Sequence, residues 1–354
     1  MNDVLGNFNS WLQRFRRTPA FTGFILFVFA ILLNVALQGP SNFFSPTNVN
    51  TLFSKNSPLL ITAMAQGLLL IVGTLDISIG VQLALVNVIA IMVPQQLGMP
   101  IYAGWIAGIL AAIIASAICA LLVSVLRLPD LLASFSLMYV IMGVNVLIMP
   151  TPQGKVPEAY YKLYDSLIGG FLPFSALIVF FIFMIWVYLK RTRFGKHIYA
   201  VGISPRNAFA AGINPTKTKM YAFLIKGFMV GIAGICLTLM TASGNPLQAQ
   251  DYGIRSIAAC IIGGLGFGGW GSLSCAFFGA GFWVLIQNSV YYLFTQLLTS
   301  LIPGFQATSY WQNLISDIII FLGLMMTIVT SKGQREMLKR AIVSQFKRGE
   351  KVVQ

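Results

Sequence analysis

This sequence predicts an all-α, polytopic membrane protein with ten transmembrane helices, and three observations carry the prediction. Of the 354 residues, 57% are hydrophobic and 9% charged, with a mean hydropathy of +0.81; a soluble domain of this length could not bury so much apolar surface. The apolar residues fall into runs close to the ~20 that one helical crossing needs. The basic residues gather in a few polar segments between those runs, as they do where Lys and Arg hold loops in the cytosol. The net charge of +14 therefore reports orientation in lipid and does not point to nucleic acid.

The runs place spans at 21–37, 58–75, 79–94, 102–126, 131–149, 171–189, 220–242, 255–267, 272–296 and 311–330. The third and eighth are short enough to be half-helices or tilted. With the N-terminus inside, 18 of the 23 Lys and Arg face the cytosol and four (Lys55, Lys155, Lys162 and Arg255) face out, while Lys226 lies within a span. That asymmetry sets both ends of the chain in the cytosol and requires an even number of spans. Ten spans divide as 5+5, and because five is odd a second copy must insert upside down, giving an inverted repeat. The junction at Asp76 would then answer to the one at Asp251.

Residues 1–20 interleave Phe8, Trp11, Leu12 and Phe15 with arginines, the pattern of an amphipathic helix on the inner membrane surface, and span one is read as retained rather than cleaved. Asn48 to Ser54 reads as a helix in the outer interface. Span two carries Gln66 and ends in GTLDISIG (Gly73 to Gly80), a sharp break where Asp76 and Ser78 can cap the helix that follows. Two roles stand for Asp76, a structural cap or a direct part in transport.

Gly104 and Gly108 form a GxxxG, as do Gly227 and Gly231, so neighbouring helices can approach closely there. Tyr160, Tyr161 and Tyr164 in the outer loop either sit at headgroup level or touch an outside partner. Lys226 lies ~9 Å into its span at 1.5 Å per residue, so it can snorkel inward, pair with an intramembrane acid such as Asp317, or serve transport. Asp251 and Arg255 are four apart and able to pair. Asp317 is a functional candidate as an acid in a span, although its place toward the outer end also lets it reach water.

The longest polar break, Lys190 to Lys219, is strongly basic. Within it, Pro205 to Ile213 reads as a short helix that starts at a Ser204–Pro205 cap and stops at Gly212, a docking knob on the cytosolic side. Gly264, Gly266 and Gly269 formally satisfy GxGxxG. They lie between two spans with no acid ~20 residues on, so they are read as a tight turn rather than a dinucleotide site. Cys119, Cys236, Cys260 and Cys275 sit in apolar runs and read as buried small side chains. His197 reads as solvated or packed, and no HExxH or paired-acid motif points to an enzyme. The tail 331–354 is basic and suits an inner-surface segment beside lipid.

Three stretches carry a resemblance to a known family: LDISIG (Leu75 to Gly80), TRFGKHIYAVG followed by NAFAAGI (Thr192 to Ile213), and IAACIIGGLGFGGWGS (Ile257 to Ser272). Over residues 20–330 the chain resembles the permease subunit of ribose-type ABC importers. The resemblance implies a permease domain over 21–330 and a second permease copy in a homodimer or related heterodimer. It further implies cytosolic ATPase subunits that carry the ATP and Mg, none of it held by this chain, and a periplasmic binding protein delivering a small, sugar-like solute across the inner membrane. It implies that NAFAAGI is the coupling helix, and with the knob reading above this makes Pro205, Arg206, Asn207, Ala208, Ala210, Ala211, Gly212 and Ile213 the candidates for coupling to the ATPase. Candidates for the translocation path or gate are Gln66, Asp76, Ser78, Asn87, Lys226, Gly264, Gly268 and Asn288. No P-loop occurs, so the motor is another chain. Leu131 to Val144 and Asp317 depart from the family pattern. The rival class is an ion-coupled secondary transporter using Lys226, Asp317 and Asp76.

Overall fold

Two helices of equal length form the middle of the molecule, and each is delimited by the same local chemistry. In the computed structural model, which describes residues 19–298 and 309–330, α1 spans Ala20–Gln38, α2 Pro40–Phe43 and α3 Pro46–Val72. Helices α4 (Ile79–Leu97), α5 (Ile101–Ala120, running on as a π-helix over Leu121–Val125) and α6 (Asp130–Ile148) follow. The outer connection holds α7 (Glu158–Tyr164) and a two-stranded hairpin, Leu167–Ile168 with Leu172–Pro173. Then come α8 (Phe174–Arg191), α9 (Arg193–Ile203), α10 (Pro205–Ala210), α11 (Pro215–Thr241), α12 (Tyr252–Ile262), α13 (Leu273–Tyr292) and α14 (Ser309–Thr330). Among the described residues, eight helices are long and apolar enough to cross a membrane. The chain is a multi-pass membrane protein whose regular structure, among the described residues, is helical apart from that hairpin and one isolated bridge between Gln153 and Gly244.

Helices α3 and α11 are both 27 residues long. Each opens with Pro behind a capping side chain, Ser45 accepting from Asn48 N at 3.3 Å and Asn214 accepting from Lys217 N at 3.0 Å, because Pro at the first position has no N–H to satisfy. Each ends on a left-handed residue, Gly73 (φ 82°) and Ala242 (φ 53°), which breaks the helix and lets a new one start. The two pack on each other; α11 also packs on α4 and α5, α3 on α8, α12 and α13, and both touch α9. Every residue of α3 from Ser57 to Val72 is buried, so α3 is the core.

Three expectations change. Asn48 to Ser54 is not a separate interfacial helix but the first turns of α3, because the helix runs through Pro58. A proline leaves the carbonyl four residues back without its partner; here Tyr164 Oη donates to Ser54 O at 2.7 Å and fills that gap. Tyr164 is thereby buried, and burial pushes its phenol up from its ordinary value, keeping it a donor. The third span is full length at 19 residues, whereas the eighth is the 11-residue α12, ~16 Å long at 1.5 Å per residue and too short to cross alone. The expected N-terminal amphipathic helix and basic tail lie outside the described residues.

The glycine spacings act as expected. A Cβ at Gly104 or Gly108 would press on α4 at Ala90, Pro94 and Val86, and one at Gly227 or Gly231 would press on α5 at Ser116, Ile113 and Ile109, so α5 lies wedged close against both. Arg255 and Asp251 pair at 2.6 Å.

Candidate functional site

The break between α3 and α4 sits over a closed polar network inside the bundle. Asp76 Oδ1 accepts from Ser78 N (2.8 Å) and Ser78 Oγ (2.5 Å), so it is Asp76 that serves the orphan N–H at the start of α4, while the Ser78 hydroxyl is spent on Asp76. The Gln66 amide, oriented as its partners require, donates to Asp76 O at 3.1 Å and accepts from Asp76 N at 3.2 Å. Asp76 Oδ2 accepts from Lys226 Nζ at 2.6 Å, and both side chains are fully buried.

Lys226 does not snorkel and does not reach Asp317. Its ammonium uses its three donors on Asp76 Oδ2, Gln82 Oε1 (2.8 Å) and Ser116 Oγ (3.0 Å). Ser116 Oγ in turn donates to Gln82 Oε1 at 3.0 Å, and Gln82 Nε2 donates to Ser78 Oγ at 2.8 Å and Asp76 Oδ2 at 3.3 Å. A buried charge is tolerable when paired and hydrogen-bonded on all sides. The network ties the α3–α4 break to α4, α5 and α11.

On the opposite break, Asn87 of α4 donates to Thr238 Oγ1 and Ser243 O, both at 3.0 Å, and accepts from Asn245 N at 2.7 Å. Asn288 donates to Asn34 Oδ1 at 2.9 Å and binds α13 to α1. Gln66, Asp76, Ser78, Asn87 and Lys226 have no exposed surface, so none lines an open channel in this conformation. What they hold is the shape of the two breaks.

The knob is present at Pro205–Ala210, capped by Ser204 (Asn207 N to Ser204 Oγ, 3.3 Å) and closed by Gly212 at φ 82°, with Ile213 N bonded back to Ala208 O at 2.9 Å. Arg206, Asn207, Ala210, Ala211 and Gly212 are exposed, while Ala208 is buried and anchors the knob. Sequence reasoning missed Phe209, which stands 70% exposed at the knob's surface. A phenylalanine in a polar, basic loop was the available signal.

The knob is connected to the ion pair by backbone. Helix α9 runs into it, and a Cβ at Gly202 would collide with Ile71 O at the end of α3 and with Gly269 N. Gly268 N and Gly269 N donate to Leu70 O (3.0 Å) and Ile71 O (2.8 Å), satisfying helix-end carbonyls that hydrocarbon could not. Gly264 (φ 87°) and Gly268 (φ 78°) take left-handed conformations in that turn, and Tyr199 Oη fastens it from α9 through Gly271 O at 3.0 Å. Gln82, Ser116 and Gly202 escaped sequence reasoning because a lone Gln, Ser or Gly in a span carries no pattern.

A bundle with eight helices able to cross a membrane among the described residues, two of its helices broken and an exposed knob tied to one break, is that of a multi-pass membrane protein. The chain belongs to the family described as branched-chain amino acid transport system / permease component, whose model matches residues 48–329. It is similar to the galactose/methyl galactoside import permease protein of Haemophilus influenzae (24% identical, covering 85% of this chain and 92% of the relative). It is also similar to a probable ABC transporter permease protein of Escherichia coli (28%, 88% and 92%) and to the ribose import permease protein of H. influenzae (24%, 84% and 90%). No solved structure matches. The chain is thus a permease subunit of an ABC importer and not itself an enzyme.

Proposed function

We propose that two copies of this chain, or one copy with a close relative, form the translocation unit of an importer for a small sugar. ATPase subunits that hold ATP and Mg drive it from the cytosol, and a periplasmic binding protein delivers the solute. Sugar import is what the names of several similar permeases state. The observation that carries the mechanism is the backbone contact of Gly202 with Ile71 and Gly269, which joins the exposed knob to the end of the central helix four residues or so before Asp76. Closure of the ATPases would move α10 and α9; Gly202 would pass that movement to the C-terminus of α3, and the Asp76–Lys226 network would pass it on to α4, α5 and α11.

The orientation follows the basic residues: α9, α10 and the 263–272 turn face the cytosol, together with both chain ends. On this reading α12 and α14 complete ten membrane segments in two inverted fives. Supporting the repeat, α3 and α11 have matching caps and lengths, and their breaks touch reciprocally: a Cβ on Gly80 would strike Gln250 O, and one on Gly253 would strike Ile77 O. Residues 80 and 253, and 77 and 250, are separated by the same number of positions, which is the geometry of an isologous, two-fold contact. The ion-coupled alternative loses ground because Asp76 and Lys226, two of its three charges, neutralise one another.

The test is uptake of labelled pentoses and hexoses into proteoliposomes holding the permease with its ATPase and binding protein. Uptake should require ATP and survive collapse of the proton gradient; uptake that follows the gradient without ATP would overturn the assignment.

A further inference from the structure

Asp317 stands on α14 in an unusual position for a carboxylate. It lies eight residues beyond Ser309, ~12 Å along a helix of 22 residues at 1.5 Å per residue, and its side chain is exposed on the outside of the protomer. Among the described residues it has no ion-pair or hydrogen-bond partner. A carboxylate facing hydrocarbon with no partner is unfavourable.

The exposed surface of α14 is divided by chemistry. Tyr310, Asn313 and Asp317, spaced three and four apart, share one edge, and exposed Leu314, Phe321 and Met325 lie between it and the opposite edge of Trp311, Ile318 and Leu322. A helix with one edge in lipid and the other in water would be divided in this way. The protomer interior supplies no water, since α3 is buried from Ser57 to Val72 and the Asp76–Lys226 network is sealed.

We infer that the Tyr310–Asn313–Asp317 edge of α14 borders a water-filled solute path whose other wall is a second copy of this chain, and that Asp317 is a solute-contacting, specificity-determining residue. This rests on the permease reading above. A carboxylate accepts hydrogen bonds from hydroxyl groups and repels anions, so the path takes neutral polyhydroxylated solutes and rejects acidic ones. Charge-assisted bonds of this kind are the stronger ones.

The test uses the assembled transporter in membranes and has two readouts. The four native cysteines are buried, so a membrane-impermeant methanethiosulfonate reports on an introduced thiol. Asn313→Cys and Asp317→Cys should be modified, and Ile318→Cys and Leu322→Cys should not. Modification reads water access whichever solute is carried, so it stands even if wild-type protein imports no sugar. For uptake, Asp317→Asn should lower kcat/KM for a neutral hexose such as galactose roughly tenfold and narrow its preference over galacturonate, with assembly unchanged by size exclusion. Failure of the reagent to reach Asn313→Cys and Asp317→Cys would overturn the inference, as would Asp317→Leu importing galactose like wild type.

Discussion

Lys226 and Asp76 show how strongly a single pair can fix a membrane bundle. Each would be intolerable in the core alone, and together they use the ammonium's three donors and both carboxylate oxygens on groups from α4, α5, α11 and the break before α4. Removing one partner leaves the other charge buried. Lys226→Met is therefore expected to cost ~3–5 kcal/mol and to lower the thermal midpoint of the purified subunit in detergent. Adding Asp76→Asn should restore most of the loss; a double variant as unstable as the single one would show that the pair is not what matters. Sequence exposed each charge as a candidate but not their partnership, because 150 residues separate them and no local periodicity links a helix break to a helix face. Tyr164 was hidden for a similar reason: nothing near it in sequence shows that a proline on α3 has freed a carbonyl for it.

Helices and turns were easier to read than the contacts between them. Hydropathy located the long spans, and capping residues located α10, because Ser204, Pro205 and Gly212 act locally. Where tertiary packing overrides local signals, the reading slipped: α3 passes through Pro58 instead of starting there, and α12 stops after 11 residues although apolar sequence continues. There the chain needs glycines to serve the end of α3 rather than more helix. For α10, a double change of Ala210→Asp and Gly212→Trp places a new charge on its exposed face and a bulky side chain at φ 82°. Reconstituted with its ATPase, that variant should keep membrane insertion and most basal ATP hydrolysis while sugar uptake falls at least about tenfold, a loss of coupling worth ~1.4 kcal/mol or more. Wild-type uptake by the variant would remove α10 from the mechanism.

The whole molecule is arranged around two broken helices, α3 and α11, that pack on each other. Lys and Arg asymmetry predicts which end of the bundle faces the cytosol, since charge placement in loops needs no knowledge of packing. The inverted repeat we propose is harder to see in the sequence, because the likeness of α3 and α11 lies in caps, lengths and backbone contacts and hardly in side chains. Its orientation can be checked in right-side-out vesicles with an impermeant thiol reagent. Gln153→Cys, beside the break after α11, should be modified, and Arg206→Cys should be modified only after the membrane is opened; the reverse pattern would invert the molecule.

The knob also bears on how such transporters diversify. Because α10 is closed by its own Ser204 and Gly212, and only Ala208 is drawn into the bundle, its outward residues can change without disturbing the membrane core. If α10 engages the motor as proposed, exchange of Arg206, Asn207 and Phe209 between related subunits should redirect which motor is engaged while leaving what is carried untouched, so that engine and cargo can evolve separately on one polypeptide.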